Sequence, residues 1–497
     1  MECFESLAVR KKQIERVISM HHKSRKSVLF AIFVMPIFLS PVSADESRNI
    51  SLIGYHHLQG RQALQVVTKS DASNGDWVYI GHVPNTRTEE ATLNPISGQV
   101  EWNGTSIVNI SDPRNPELVW HIPNEVSANS RSVSVVYDYG FSSQPSGRDY
   151  LIRNFEAGDE LKFQIFDITS RASDPSQIRL VSEITSTPEN SCGQDCGGAL
   201  INRAHKGYWS QESGLFYSAS GEPGFRSTIL HIWDLKDPRN PLFVGRAWLE
   251  GQKDGEEGFE EQYVHHPIVD EENNRVYAGF RIGSGHVAAW DISNPREPSL
   301  VWSYDTSPPG RGPHTVSPIV YNSVPNVTAA EGALPRTYAL VSDEYDGLEC
   351  NHGMKSRVYM FDITHESNPM PVSTWQVPIG DFCNSGGNFG PHQHAETVNG
   401  NLNPFQDKLA WIAYMNAGIR LLDISDPQNL QEIGFYIPKT NASPRPGRSE
   451  AGVIQLTDVD IDHRGFVYAS DRSGESCLGQ DSNCVGTGLF VFDYMAD

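Results

Sequence analysis

The chain is short of positive charge, of cysteine and of long hydrophobic runs. It has 39 Lys and Arg against 61 Asp and Glu, a formal net charge of −22, and 7 cysteines in 497 residues. Nucleic acid and anionic membrane surfaces repel so acidic a protein, and neither is an expected partner. Long amphipathic helical patterns are also missing, whereas Gly and Pro are frequent, with 42 and 31 residues. This composition favours an all-β fold.

The most membrane-like stretch, residues 27–40, is too short to span a bilayer. The basic residues 23–26 precede it, and a small-residue pattern at residues 42–44 follows, so the three parts predict a secretory signal peptide cleaved after Ala44. Residues 1–44 are therefore predicted to be a leader, with Met20 as an alternative start of translation. Its loss takes the formal charge from −22 to −26. We expect an exported protein, periplasmic or extracellular, without a stable membrane anchor.

Six cysteines follow the leader, and an even number in an exported protein predicts disulfides. The short separations favour two local pairs, which leave a third pair from distant segments. A metal or redox role for the C-x3-C pair is the alternative. The predicted pairs are Cys192 with Cys196, Cys477 with Cys484, and Cys350 with Cys383.

A short motif recurs along the rest of the chain. Residues 109–120 read N-I-S-D-P-R-N-P-E-L-V-W, and related copies open at Asp234, Asp291 and Asp423, with looser ones at Asp167, Asp362 and Asp493. In each copy an apolar run ends at Asp or Asn, a Pro stops the strand and forces a turn, and a second apolar strand follows. Such a hairpin, repeated every ~40–70 residues, is typical of propeller blades.

Seven copies predict seven blades. The last copy has no fourth strand after it, whereas residues 50–55 form an unpaired strand pattern ahead of the first blade. If this strand joined the last blade, the ring would close without exposed edges. Residues 45–497 are therefore predicted to form a single all-β domain, a seven-bladed β-propeller closed by its N-terminal strand.

The repeated D-I-S-D-P-x-N-P-x-L-V resembles the repeat of the LVIVD-repeat family of exported bacterial propellers. The resemblance covers nearly all of the chain after the leader, and it implies fold and export without a single activity. The second blade departs from the pattern by an insertion before Pro175, and the seventh lacks the motif after Asp493.

Alignment of the blades on their second strands places several histidines at one level. His205 and His265 occupy equivalent positions, and the P-H-T and P-H-Q-H segments at residues 313–315 and 391–394 add three more. Converging neutral imidazoles suit copper, zinc or iron, so we predict a metal site, with copper the most plausible ion and zinc, iron or calcium not excluded. The alternative is that these side chains hold water in a polar channel. The predicted ligands are His205, His265, His266, His314, His392 and His394, with Asp458 and Glu396 as candidate ligands or general bases.

Residues 264–266, 313–315 and 391–394 are also similar to the histidine motifs of the selenium-binding protein and methanethiol oxidase propellers. That resemblance implies copper-dependent oxidation of a small thiol. The C-x-x-C that accompanies the first histidine pair in that family is absent here.

Three classes of function remain open from the sequence. The first is a metal-dependent oxidase of a small molecule, with Arg61 and Arg203 as candidate contacts to an anionic substrate. The second is a non-catalytic propeller that binds a protein or cell-surface partner through its long loops. The third is a metal-dependent hydrolase of the lactonase type. Such a site would hold calcium through carboxylate and amide oxygens, and the many histidines predicted here fit it less well than they fit the first class.

Overall fold

The computed structural model describes a large part of the chain after the predicted leader. The described residues are 46–71, 74–83, 91–125, 128–140, 147–156, 161–185, 201–258, 263–281, 285–307, 312–328, 333–344, 356–377, 382, 388–396, 409–438, 454–472 and 488–495. The predicted leader and all six cysteines of the predicted disulfides lie outside these residues.

Seven antiparallel sheets make up the fold, and each contains one copy of the repeat. The strands of each blade are given from the inner to the outer one. Blade 1 contains β3 (Ala63–Asp71), β4 (Gly75–His82), β6 (Gln99–Asn109) and β7 (Glu117–Asn124), with β5 (Thr92–Asn94) paired to β6. Blade 2 contains β8 (Val133–Tyr139), β9 (Arg148–Phe155), β10 (Lys162–Asp167) and β11 (Arg179–Thr185). Blade 3 contains β12 (Arg203–Trp209), β13 (Leu215–Gly221), β14 (Thr228–Asp234) and β15 (Leu242–Ala247), and blade 4 contains β16 (Tyr263–Asp270), β17 (Arg275–Arg281), β18 (His286–Asp291) and β19 (Ser299–Asp305).

The remaining blades follow the same plan. Blade 5 contains β20 (Pro313–Tyr321), β21 (Arg336–Asp343), β22 (Val358–Asp362) and β23 (Met370–Trp375); blade 6 contains β24 (Gln393–His394), β25 (Leu409–Ala413), β26 (Ile419–Asp423) and β27 (Gln431–Ile437), with β1 (Glu46–Arg48) paired to β27; and blade 7 contains β28 (Leu456–Ile461), β29 (Val467–Asp471), β30 (Gly488–Tyr494) and β2 (Ile50–His56).

The N-terminal strand closes the ring. β2 pairs antiparallel with β30 from Ile50 opposite Tyr494 to His56 opposite Leu489, and so supplies the fourth strand of blade 7. The inner strands contact one another in blade order, and β28 contacts β3 across the closure. The prediction of a seven-bladed propeller closed by this strand is confirmed. The helices of the described residues are short 3₁₀ turns, and none has the length and apolar character to cross a membrane.

In blades 1 to 6 the repeated Asp or Asn explains why the third strand ends where it does. The side-chain oxygen of Asp291 accepts a hydrogen bond from the backbone N–H two residues later, at 2.8 Å, and Asp423 does the same at 2.9 Å. Asn109, Asp167, Asp234 and Asp362 repeat the contact in four other blades. This Asx turn competes with continuation of the strand and directs the chain into the outer strand.

Aromatic side chains fill the spaces between blades. Trp233 packs between blades 2 and 3, Trp290 between blades 3 and 4, and Trp302 between blades 4 and 5. Trp233 and Trp290 are each 1 % exposed. Burial of such a large side chain stabilises the fold by roughly 2–3 kcal/mol, so these contacts fix each blade against the next and hold the inner strands in place.

Candidate metal centre

The inner strands carry β-bulges at the positions of the predicted ligands. The pairing register shifts between Ala204 and Gly207 in β12, between Val264 and Pro267 in β16, and between Pro313 and Thr315 in β20. A bulge breaks the strict alternation of side chains and re-aims those within it. His205, His265 and His314 each lie within one of these bulges, which turn them towards one another.

Four imidazoles form a continuous row across blades 3 to 6, which we call the histidine row: His205, His265, His314 and His392. Ring centroids are 4.2 Å apart for His205 and His265, 3.8 Å for His265 and His314, and 4.3 Å for His314 and His392. All four side chains are buried, none more than 4 % exposed.

Two glutamates contact the row from the ends of second strands. Glu156, directly after β9, lies 2.7 Å from Nδ1 of His205 through Oε1. Glu344, directly after β21, is 1 % exposed and lies 3.4 Å from Nε2 of His392 and 4.0 Å from Nε2 of His265 and of His314. Arg281 approaches Glu344 through Nε at 3.2 Å.

The imidazoles of the row are neutral near pH 7. Burial is the main cause that lowers the pKa of His265 and of His314 well below the ordinary value, and the neighbouring histidines add to it. Burial followed by Lys206 lowers the pKa of His392 well below it too. For His205, burial outweighs the opposing effect of Glu156 on the pKa. Neutral imidazole is the form that ligates metal ions.

The outer hydrogen bonds of the row decide which ring nitrogens carry a lone pair. Burial alone would raise the pKa of Glu156, but Arg131, His205 and Arg203 together lower it to about 2. Glu156 is therefore an acceptor, and Nδ1 of His205 donates to it, which leaves the lone pair on Nε2. The carbonyl of Thr457 can only accept, so Nδ1 of His392 donates to it, and Nε2 of His392 carries the lone pair.

Two electron-rich groups consequently face each other at the blade 6 end of the row. The lone pair on Nε2 of His392 lies 3.4 Å from a carboxylate oxygen of Glu344, and both atoms are acceptors. Within the described residues, Nε2 of His314 and Nδ1 of His265 have no hydrogen-bond partner. Facing acceptors such as Nε2 of His392 and the Glu344 oxygen are costly in a buried site unless a cation lies between them.

The residues at this point fit a transition-metal ion. His265, His314 and Glu344 each offer a ligand atom, and these atoms lie within 4.8 Å of one another. The 3.4 Å between His392 and Glu344 also matches two donors that share a tetrahedral ion with bonds of about 2.1 Å. Mixed imidazole and carboxylate donors suit zinc, copper and iron, whereas calcium requires oxygen donors.

Three of the six predicted ligands have other partners. Nδ1 of His205 lies 2.7 Å from Glu156, and its Nε2 lies 2.9 Å from Nε2 of His265. His394 is hydrogen bonded through Nδ1 to the hydroxyl of Ser342 and through Nε2 to that of Ser317, both at 2.8 Å. Nδ1 of His266 lies 3.0 Å from Oε1 of Glu396. Ligation through either ring nitrogen of His394 would displace one of these hydrogen bonds, so the structure favours a ligand set without it.

A second polar group lies beside the row, and we call it the channel cluster: Lys206, His266, Gln393, Glu396 and Asp458. Lys206 donates to the side-chain oxygen of Gln393, whose amide donates to Glu396 at 2.7 Å. Burial, followed by the charge of Asp458, raises the pKa of Glu396 well above its ordinary value. The Asp458 carboxylate accepts backbone N–H groups of Val459 at 2.8 Å and of Val66 at 3.2 Å.

Two segments of the chain, residues 288–306 and 406–437, match the family model of the LVIVD repeat. The chain is a propeller that carries LVIVD repeats. The matched segments contain strands β25, β26 and β27 of blade 6 and, of the two outer strands of blade 4, most of β18 and all of β19. No curated protein sequence matches the chain.

Solved structures with a similar fold share little sequence with the LVIVD-repeat propeller. Raptor from Chaetomium thermophilum matches with 11 % identity and a TM-score of 0.48 over 91 % of this chain, which spans 29 % of the Raptor chain. A periplasmic gluconolactonase from Pseudomonas aeruginosa matches with 12 % identity and a TM-score of 0.43, over 90 % of this chain and 100 % of that one. A hypothetical selenium-binding protein from Sulfolobus tokodaii matches with 12 % identity and a TM-score of 0.45, over 90 % and 92 % of the two chains. Likeness at this level carries no information about activity.

The two predicted substrate arginines of the LVIVD-repeat propeller differ in their surroundings. Arg61 is 1 % exposed and contacts the side chain of Asn103 at 3.2 Å and that of Glu101 at 3.8 Å, so it belongs to a buried network of blade 1. Arg203, at the start of β12, has 42 % of its side chain exposed and lies 4.0 Å from Glu156 beside the histidine row.

Glu156 and Glu344 are candidate site residues that the sequence did not predict. Each directly follows the second strand of its blade, and Glu222 occupies the same place in blade 3, where it contacts His231. Extension of the blade alignment past the second strand would have found this recurring glutamate. The contacts of Glu156 and Glu344 with the row depend on the bulges of the neighbouring blades, and the sequence gives no direct signal for these bulges.

Proposed function

We propose that this chain is an exported, metal-dependent enzyme that oxidises a small molecule at the histidine row, with copper as the most plausible ion. The observation that carries the proposal is the pair of facing acceptors, Nε2 of His392 and a Glu344 oxygen 3.4 Å away, beside the unpartnered Nε2 of His314. His265, His314, His392 and Glu344 would hold the ion.

A copper or iron ion held there would supply Lewis acidity and one-electron chemistry. The residues around the site keep the ligands ready for it. The Thr457 carbonyl fixes the tautomer of the ligand His392, as outer-shell acceptors do in metal sites, and Glu156 fixes that of the neighbouring His205. Arg281 offsets the charge of Glu344, which reduces the cost of its burial.

Glu396 is the better candidate for a group that stores and returns a proton. Both oxygens of Asp458 accept backbone N–H groups, so that carboxylate serves the contact between blades 7 and 1. Glu396 instead accepts a hydrogen bond from Gln393 at 2.7 Å and lies 3.0 Å from His266, and burial raises its pKa well above the ordinary value. A carboxyl group with a raised pKa holds its proton more tightly and is suited to act as a general acid.

Metal analysis of the protein, exported with its own leader and purified without chelator or affinity tag, tests the proposal. We expect about one equivalent of copper in the wild type, and loss of most of it in His314→Ala and in Glu344→Gln, because each change removes a donor from the buried set. Circular dichroism and the midpoint of urea unfolding would show that the variants remain folded.

His463→Ala is the matched control, because His463 has 46 % of its side chain exposed and lies outside the row. It should keep the full metal content. A wild type that holds no metal after reloading with copper, zinc and iron in turn would overturn the enzyme proposal. It would then favour a non-catalytic propeller that acts through its loops.

A further inference from the structure

Two arginines converge on Glu156 at the blade 2 end of the histidine row. Arg131, just before β8, forms an ion pair with Glu156 through Nε, and 23 % of its side chain is exposed. Arg203 places Nη2 4.0 Å from the other oxygen of Glu156, and 42 % of its side chain is exposed. The glutamate side chain is only 9 % exposed, so both guanidinium groups are more accessible to solvent than the carboxylate they contact.

The charges of this corner do not balance. Glu156 provides one negative charge, His205 is neutral, and Arg131 and Arg203 provide two positive charges. Among the described residues in contact at this corner, a net charge of +1 therefore remains, in a chain whose formal net charge is −22. An excess of positive charge next to a buried polar site attracts anions and raises their local concentration.

Arg203 is also held in a defined orientation. Its guanidinium lies over the ring of Tyr263, with 5.2 Å between the central carbon and the ring centroid. The same tyrosine ring is 6.1 Å from the ring of His265. A stacked guanidinium keeps its N–H groups in the plane of the fork, where they can bind two oxygens of one anion.

We propose that Arg131 and Arg203 form an anion-binding pair that holds the carboxylate or other oxyanion of a small substrate at the edge of the histidine row. As the assignment of a substrate class, this inference rests on the proposed function. Arg61 is excluded from the pair because it lies in the buried network of blade 1, and Arg281 because it is occupied with Glu344.

The pair orients the substrate by one end and leaves its remainder over His205 and His265. Anchoring of a non-reacting group is an effective use of binding energy, because it positions the reacting atoms without contact to the ion. The inference therefore predicts that small anions such as carboxylates or sulfate bind to the protein even when no metal is present.

Calorimetric titration of the metal-free protein with sodium propionate and with sodium sulfate, at constant ionic strength, tests the inference. We expect one saturable site in the wild type. Its affinity should fall about 10-fold or more in Arg203→Gln, since a charge-assisted hydrogen bond contributes on the order of 1.5–3 kcal/mol. Comparison of the two salts shows whether the pair prefers a planar or a tetrahedral anion.

Arg179→Gln is the matched control. Arg179 and Arg148 converge on Asp167 in the same two-to-one charge pattern, at the other end of blade 2, and 62 % of the Arg179 side chain is exposed. This variant loses the same charge and should bind both anions as the wild type does. Arg203→Lys, which keeps the charge but not the planar fork, should have an intermediate affinity.

The test separates this inference from the proposed function. Absence of saturable binding in the wild type, or equal affinity in Arg203→Gln and the wild type, would overturn the anion pair even if the protein holds copper. Anion binding that is lost in Arg203→Gln would support the pair even if no metal is found. Arg203→Gln should also retain the metal content of the wild type, because Arg203 contacts none of the proposed ligands.

Discussion

Asp458 and Asp460 are buried carboxyl groups that join the inner strand of blade 7 to that of blade 1. Asp460 accepts the N–H of Thr68 at 2.7 Å, and Asp458 that of Val66 at 3.2 Å. Burial raises the pKa of each to about 7, and the opposing effects of Lys206 on Asp458 and of backbone donors on Asp460 only partly reduce the shift. The ring closure therefore contains acids whose ionisation opposes folding.

This leads to a prediction about pH and stability. Because the pKa of Asp460 is about 7 in the folded state and near 3.8 when unfolded, the folded protein binds more protons between about pH 4 and 7. Stabilisation from this group is complete below that window and falls as the pH rises through 7. Asp460→Asn removes the pH-dependent contribution of this carboxyl group. The free energy of unfolding of the wild type minus that of the variant should therefore decrease by a few kcal/mol from pH 5 to pH 8.

The difference between wild type and variant is measured because the buried histidines change the stability of both proteins with pH, in the opposite direction to Asp460. Burial is the main cause that lowers the pKa of His82 and of His394 to about 3, so they favour unfolding as the pH falls below about 6.5. Urea unfolding at several pH values gives the difference. Asp112→Asn, at an exposed turn, is the control and should give a constant difference over this range. A constant difference for Asp460→Asn would contradict the assigned pKa.

At the scale of elements, the closing strand contacts the first turn of the repeat. A Cβ atom on Gly54 of β2 would lie 2.1 Å from the carbonyl oxygen of Pro113, which belongs to the turn between β6 and β7. Gly54 also lies at a shift in the register of β2 against β30. Only glycine allows β2 to pass this close to the backbone of blade 1.

Gly54→Val is therefore expected to destabilise the propeller by about 1–3 kcal/mol or more, because the new side chain meets backbone atoms that cannot move aside. The measurement is the midpoint of urea unfolding at fixed pH. Ser51→Val on the same strand, where the side chain is partly exposed, is the control and should change stability little. Equal midpoints for Gly54→Val and the wild type would show that β2 does not lie against this turn.

The elements differ in how far the sequence predicts them. Strand ends and the blade count follow from the recurring Asp and Pro, because Asx turns and proline act over a few residues. The level of His205, His265, His314 and His392 follows from the same periodicity. The bulges do not, because register depends on pairing across strands. The contacts of Glu156 and Glu344 depend on the bulges and on the angle between blades, and so could not be derived from spacing alone.

For the whole molecule, closure limits where the leader can be removed. β1 begins at Glu46 and β2 at Ile50, and β2 provides the outer strand of blade 7. Cleavage after Ala44 would leave both strands intact. Cleavage beyond β2 would leave β30 with an unpaired edge and the ring open, which exposes a template for aggregation. The predicted cleavage site is therefore compatible with the closed ring.

The mass of the exported protein tests this arrangement. We expect an intact mass that corresponds to a chain starting at Asp45, because the small residues before it suit signal peptidase. We also expect that the six cysteines of the mature chain each lack one hydrogen until a reductant is added, as three disulfides require. A chain that keeps residues 1–44 would contradict the export prediction, and a mature chain that starts after residue 56 would contradict closure of the ring by β2. A mass that does not change on reduction would contradict the disulfide prediction. A chain that starts at residue 57, and so lacks β2, provides the matching control. After refolding, its free energy of unfolding should be lower than that of the chain that starts at Asp45.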